Sequence, residues 1–253
     1  MKIKPYFKST LAEPYQGKFL HKAGATVVMN TEVHTKSVGN FLVMLPDPVS
    51  LNFNNAQNFI DKCEKLKERI NNTKSITVFS KKLTEENIKG ITTEEIKRLD
   101  PEANILRKLD NEKVFEYMQS SMGVVVSLVT GVESFLNLII PYNYTTIREN
   151  KKGEKVTLDK EQIVRKFSLE DKIELVAEIK GKVDTKQQRF WPTFKEVKEL
   201  RDEIVHFKKM DKKLDQMWNP IIVSFFDSDL QKYFDDIVEL VNYLEPKYLE
   251  KRS

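Results

Sequence analysis

Apolar residues recur at helical spacing along most of the chain, and this pattern predicts most of its structure. Between Phe53 and Ile70 they fall every three or four positions, the period of one face of an α-helix. From Phe115 to Ile140 the chain is apolar almost all round, so we expect a central helix packed on several sides and ended by Pro141. The pattern therefore predicts a mainly α-helical protein.

The C-terminal half has further signs of helices. Ser168 followed by Asp171, and Ser228 followed by Gln231, match the capping box that opens a helix. The segments between the helical runs are short, which is typical of helices packed beside one another. Residues 111–253 are thus predicted to form a bundle of four or five helices.

Short apolar and β-branched runs predict strands elsewhere. Ala25–Met29 and Phe41–Leu45 predict a hairpin or edge strands, and Ser75–Ser80 predicts another strand, followed by charged segments that we expect to be helical. Residues 1–110 are therefore predicted to be a mixed α+β accessory region of unknown role. Tyr144–Leu158 is predicted to be a small exposed β-hairpin inserted into the bundle.

Composition limits the class of protein. Hydrophobic residues are 40% and charged residues 32% of the 253 residues, which is typical of a globular protein with solvated helices and not of a disordered chain. The net charge of +4 is too small to indicate a nucleic-acid partner by itself. Charge alone therefore does not select a function.

Cysteine content and hydropathy predict the location. Cys63 is the single cysteine, so an intrachain disulfide and a multi-cysteine zinc site are excluded, and no cofactor or metal is expected. A reducing, cytoplasmic location is predicted, because the start lacks the apolar segment of a signal peptide. Gly123–Ile140 approaches membrane-spanning length, but polar residues interrupt it, so we interpret it as a buried helix and expect no membrane association.

One arginine lies among the apolar positions of a predicted helix. This helix runs from Trp191 to about Lys208, and on a wheel at about 100° per residue Arg201 falls inside its apolar arc. A guanidinium cannot be neutralised, so it needs an anionic partner, or this face lines a groove or an interface. Glu133, isolated on the central helix, is the candidate partner, and a purely structural ion pair is the alternative.

His206 follows Arg201 by five residues and projects from roughly the opposite side of the same wheel. A site using both would need local unwinding near the helix end, or a contribution from each of two chains. Asp202 precedes His206 by one turn and can fix the tautomer of the imidazole. The alternative is a solvated surface histidine.

Two segments resemble a known family. Residues 200–207, which read Leu-Arg-Asp-Glu-Ile-Val-His-Phe, resemble the signature of the HEPN superfamily: an arginine, usually a polar residue, then a histidine four to six residues on. Residues 132–137, which read Val-Glu-Ser-Phe-Leu-Asn, are similar to the family's earlier helix with its acidic and amide positions. The resemblance covers roughly residues 111–210 and implies a HEPN-like helical bundle.

The resemblance implies a reaction and a set of roles. Catalytic members are metal-independent endoribonucleases that dimerise so that two signature helices form one cleft. RNA would be the substrate, Arg201 would hold the scissile phosphate, and His206 would exchange protons, with Asp202 and Glu133 in support. Since one histidine cannot act as both base and acid in a turnover without relays, a homodimer with two-fold symmetry would supply the second copy.

The resemblance also suggests a toxin or an anti-phage defence effector, with an antitoxin or regulatory protein as a further partner. Basic residues just beyond the signature would attract RNA: Lys208, Lys209 and Lys212. One alternative is a non-catalytic HEPN-like module that binds RNA, a nucleotide or a protein partner, which the opposed wheel positions favour. Another is a helical scaffold in which Arg201 pairs with Glu133.

Overall fold

The computed structural model of the chain describes residues 8–10, 15–16, 20–21, 26–28, 30–44, 47–73, 75–84, 86, 88–149, 153–205 and 214–249. In these residues α-helices predominate, and the strands form small antiparallel pairs. The predicted mainly α class is therefore confirmed, whereas the HEPN-like arrangement of the bundle stays a prediction.

The helices of the described chain are α1 (Pro48–Asn71), α2 (Thr93–Leu99), α3 (Asn111–Ile139), α4 (Lys160–Lys166), α5 (Leu169–Ile179), α6 (Phe190–Val205), α7 (Leu214–Asp227) and α8 (Leu230–Leu244). The strands are β1 (Lys8–Thr10), β2 (Tyr15–Gln16), β3 (Leu20–His21), β4 (Thr26–Val28), β5 (Asn30–Thr35), β6 (Gly39–Met44), β7 (Ile76–Phe79), β8 (Asn104–Arg107), β9 (Thr145–Glu149) and β10 (Lys155–Asp159). They pair as β1 with β4, β2 with β3, β5 with β6, β7 with β8, and β9 with β10.

The chain divides into two compact units. One unit contains residues 1–60 and 122–253, and the other contains residues 61–121. Helices α1 and α3 contribute residues to both units. The predicted division into an accessory region, residues 1–110, and a helical bundle, residues 111–253, stays a prediction.

Within the larger unit, α3 is packed as a central helix. Two of its glycines, Gly123 and Gly131, lie against Phe59 and Phe53 of α1, where an added Cβ would come within 2.7 and 2.8 Å of the rings. The glycines therefore allow the two helices to approach closely. Phe53 also makes an edge contact with Phe234 of α8, at 6.0 Å between ring centroids.

By length and composition α3 is apolar enough to cross a membrane, and among the described helices no other is. Half of its most apolar window is buried within the structure. Val124, Leu128 and Phe135 have no exposed surface. The interpretation of this segment as a buried helix agrees with that burial, and the cytoplasmic location stays a prediction.

The smaller unit corrects one sequence expectation. The predicted strand at 75–80 is confirmed as β7, but among the described residues between β7 and Leu109 only α2 is helical. Strand β8 lies in the stretch expected to be helical, and it pairs with β7 in antiparallel register. The Arg107 guanidinium of β8 donates to the carbonyls of Ile70 and Asn71 at 2.9 Å each, so it caps the C-terminal end of α1.

Helix starts in the larger unit were predicted with mixed success. The capping box of Ser168 and Asp171 is present at α5, and the hairpin of β9 and β10 is confirmed. The last helix, however, is capped by Asp229, whose carboxylate accepts from the Lys232 amide at 2.9 Å. Ser228, predicted to be the cap, shares a hydrogen bond with the Tyr233 hydroxyl instead. From residue 111 onward the described chain forms six helices, one more than the upper prediction.

Candidate functional site

Helix α6 is the element that positions the candidate site. Its buried face is formed by Phe190, Thr193, Phe194, Val197, Leu200 and Ile204. These positions recur every three or four residues, so one side of the helix packs inward along its whole length. The predicted helix from Trp191 onward is therefore confirmed as far as residue 205.

A polar cluster around the buried Thr193 and Asp236 joins the N-terminal half of α6 to α8. The Thr193 hydroxyl donates to the Asp236 carboxylate at 2.6 Å, and the Lys232 ammonium donates to both, at 2.9 Å to Thr193 and 2.8 Å to Asp236. Burial raises the pKa of Asp236, but the hydrogen bonds from Lys232 and Thr193 outweigh it, and the pKa is held below its ordinary value. Each of these groups therefore has a partner.

Arg201 directly follows Leu200 of the buried face of α6, and 26% of its side chain is exposed. Its Nε is 3.2 Å from Oδ1 of Asp202, the ion-pair partner that the described residues offer it. Nε is also buried and without a hydrogen-bond acceptor in the described chain, because its N–H does not point at that oxygen. Arg201 is thus paired with a carboxylate by charge, but its Nε–H is not hydrogen-bonded to it.

Glu133 does not serve as the expected partner of Arg201. Its Oε1 accepts a hydrogen bond from the Lys172 ammonium on α5 at 3.2 Å, where the Lys172 side chain is 2% exposed. The carboxylate therefore compensates a buried cation on another helix. One turn further along α3, the Asn137 Oδ1 atom is buried and has no hydrogen-bond donor among the described residues.

A row of alternating charges connects α5 to Arg201. Lys195 donates to Glu170 of α5 at 2.9 Å, Lys198 lies 3.5 Å from the same carboxylate, and Lys198 donates to Oδ2 of Asp202 at 3.4 Å. The hydrogen bond from Lys195, together with the charges of both lysines, holds the pKa of Glu170 below its ordinary value. We call Lys195, Glu170, Lys198, Asp202 and Arg201 the charge row.

Four predicted site residues lie outside the described residues: His206, Lys208, Lys209 and Lys212. The structure therefore brings together Arg201 and Asp202, places Glu133 with Lys172, and leaves the role of His206 as a prediction.

Comparison of the chain with protein-family models, with curated proteins and with solved structures found no match. The resemblance to the HEPN superfamily therefore depends on the residues of this chain alone.

The sequence did not identify four charged residues that organise this region: Glu170, Lys172, Lys195 and Lys198. Lys198 and Asp202 are four residues apart on α6, a spacing at which a helical ion pair can be read from the sequence. Lys172 falls among the apolar positions of α5, which a helical wheel would also have shown. The pairing of Glu170 with α6 depends on how two helices pack, and the sequence gives no local sign of it.

Proposed function

We propose that the chain is a metal-independent endoribonuclease of HEPN type, acting as a toxin or anti-phage defence effector. The observation that carries the proposal is the state of Arg201: a half-buried guanidinium whose Nε–H has no acceptor among the described residues. A permanent cation with unused donors is suited to a phosphate, which accepts bidentate hydrogen bonds from guanidinium.

The proposed reaction forms one bond and breaks one bond at phosphorus. The RNA 2′-oxygen attacks the adjacent phosphorus, and the bond to the departing 5′-oxygen breaks, leaving a 2′,3′-cyclic phosphate. One copy of His206 takes the proton of the 2′-hydroxyl, and the copy from the second subunit gives a proton to the 5′-oxygen. Arg201 stabilises the charge that gathers on the phosphorane oxygens.

Glu133 enters this proposal through Lys172, not through Arg201. Removing Glu133 would leave the Lys172 ammonium buried without its carboxylate, so its support of the site is structural. Asp202 is the carboxylate that reaches Arg201, and it precedes His206 by four residues in the sequence.

The test is RNA cleavage in the presence of EDTA. We expect the purified chain to cut single-stranded RNA and to leave 2′,3′-cyclic phosphate ends. Arg201→Ala and His206→Ala should each abolish the products, whereas Arg165→Ala, which removes an exposed arginine of α4 paired with Glu161, should not. Undiminished cleavage by His206→Ala would contradict the proposed proton transfers.

The second candidate is a non-catalytic module of the same type that binds RNA, a nucleotide or a protein. It is favoured by the opposed positions of Arg201 and His206 on an ideal helix. Under this alternative the chain binds an RNA oligonucleotide but yields no cyclic phosphate. Sedimentation velocity adds a separate check, because the reaction above requires a homodimer and simple binding does not.

A further inference from the structure

Asp202 lies between two cations on α6. Its Oδ1 is 3.2 Å from Nε of Arg201, and its Oδ2 accepts a hydrogen bond from the Lys198 ammonium at 3.4 Å. The two carboxylate oxygens are thus divided between the cations, and the bidentate pairing that arginine prefers with a carboxylate is not formed.

Lys198 is held in this position from a second helix. Its ammonium lies 3.5 Å from Glu170 of α5, and its side chain is 20% exposed. Glu170 is fixed in turn by the hydrogen bond from Lys195 at 2.9 Å. Lys198 is therefore bound by a carboxylate on each of two helices, Glu170 of α5 and Asp202 of α6.

The charge row contains three cations and two carboxylates. Lys195 and Lys198 share Glu170, and Lys198 also pairs with Asp202. The surplus positive charge of the row therefore lies on Arg201, its last residue. In the described chain Arg201 has no carboxylate of its own beyond the divided Asp202.

We propose that Lys198, anchored by Glu170, is a positioning residue that holds Asp202 back from Arg201 and so keeps the guanidinium free for an RNA phosphate. The inference rests on the proposed function and deepens it, because it names the residues that control how strongly Arg201 binds the substrate. Without Lys198, Asp202 would turn to accept hydrogen bonds from Arg201 and would compete with the phosphate.

The test is a double-mutant cycle on binding of a single-stranded 2′-O-methyl RNA oligonucleotide, which cannot be cleaved by 2′-hydroxyl attack. Lys198→Met keeps the aliphatic stem and removes the charge. We expect it to weaken binding about ten-fold, the size of one charge-assisted hydrogen bond. The double variant Lys198→Met with Asp202→Asn should recover most of that loss, because no carboxylate remains to compete for Arg201.

Lys186→Met is the matched control, since it removes the same charge from an exposed lysine that pairs with Glu174 of α5 and does not belong to the charge row. We expect its affinity to stay within about two-fold of the unaltered chain, the range of an exposed charge. Equal losses in Lys186→Met and Lys198→Met would show a simple effect of net charge and overturn the inference. A double variant as weak as Lys198→Met alone would overturn it too.

The Nε–H resonance of Arg201, assigned by its loss in Arg201→Lys, separates this inference from the proposed function. In Lys198→Met the resonance should shift as the N–H turns toward Asp202, and in Lys186→Met it should stay. An unshifted resonance in Lys198→Met overturns the inference whatever the chain does to RNA. Absence of RNA binding together with a shifted resonance overturns the proposed function and leaves the positioning role supported.

Discussion

The two halves of α6 differ in how completely their polar side chains are hydrogen-bonded. In the N-terminal half, Thr193 joins Asp236 and Lys232 of α8 in a closed set of hydrogen bonds, and Glu196 accepts from the Tyr233 hydroxyl. In the C-terminal half, Arg201 faces a carboxylate that it shares with Lys198, and its Nε–H has no described acceptor.

This difference separates a stabilising region from a region suited to binding. Buried polar groups that are fully paired fix one packing of the helices and leave nothing to offer a ligand. A half-buried cation with an unused donor adds little to folding, but it is prepared for an anion because the protein has already removed part of its water. The same helix therefore presents a structural end and a candidate binding end.

The largest change in stability is expected from Asp236→Ala. It removes the acceptor of both Thr193 and Lys232 from a site that is 8% exposed. The buried Thr193 hydroxyl would lose its acceptor, whereas the Lys232 side chain is 59% exposed and can be solvated, so the free energy of unfolding should fall by about 2 kcal/mol. Urea denaturation followed by circular dichroism measures it. Asp235→Asn, one position away on the same helix, is the control, and an equal loss there would show that the buried cluster has no special part.

Acid should weaken the same region. The pKa of Asp236 is lower in the folded chain than in the unfolded chain, so its stabilisation is complete above the unfolded value of about 3.9 and is lost as the pH falls through the folded value. The slope is at most about 1.4 kcal/mol per pH unit for this carboxyl. Unfolding free energies measured between pH 5 and pH 2 should show a shallower decline in Asp236→Asn. Parallel curves would contradict the assignment.

A smaller loss is expected from Glu133→Gln. The substitution keeps an acceptor for the buried Lys172 ammonium but removes its countercharge, and because half of the Glu133 side chain is exposed we expect about 1 kcal/mol. Adding Lys172→Met should restore stability, since an apolar side chain then replaces the buried cation. RNA cleavage per folded molecule should change little. Abolished cleavage in Glu133→Gln with stability intact would place Glu133 in the chemistry itself.

The smallest effect is expected from Arg189→Ala at the start of α6. The Arg189 Nε donates to both carboxylate oxygens of Glu239 on α8, at 3.0 and 2.8 Å, but the Arg189 side chain is 79% exposed. Exposed ion pairs of this kind add little, because water competes for both groups. The urea midpoint should not move beyond experimental error. A clear drop in the urea midpoint would mean that the Arg189–Glu239 ion pair, and not only the cluster around Asp236, stabilises this end of α6.

Local patterns predicted much of the fold. The apolar periods gave α1 and α3, and the capping box at Ser168 works because all its atoms lie within one turn. Ser228 was the wrong cap because the next residue, Asp229, can also cap, and the Tyr233 hydroxyl engages the serine. Strand β8 was not predicted, because its partner β7 lies some 25 residues earlier in the chain. The charged residues around β8 are also compatible with a helix.

The candidate site was predictable only where its contacts are local. Arg201 and Asp202 are neighbours in sequence, so their proximity follows from the chain. The partner of Glu133 depends on which helix packs against α3. The helical wheel predicted Arg201 as this partner, whereas the structure has Lys172. Spacing along a helix shows which residue needs a partner, whereas the packing of helices decides which partner it receives.

A side-by-side measurement of Arg201→Ala and Asp236→Ala gives the decisive comparison, with RNA cleavage and the free energy of unfolding determined on the same preparations. Arg201→Ala should lower the cleavage rate at least about 100-fold, the loss found when one donor to a developing oxyanion is removed, with almost unchanged stability. Asp236→Ala should lose stability and keep its cleavage rate per folded molecule. Equal destabilisation by both variants, with cleavage per folded molecule intact in each, would contradict the separate roles of the two ends of α6.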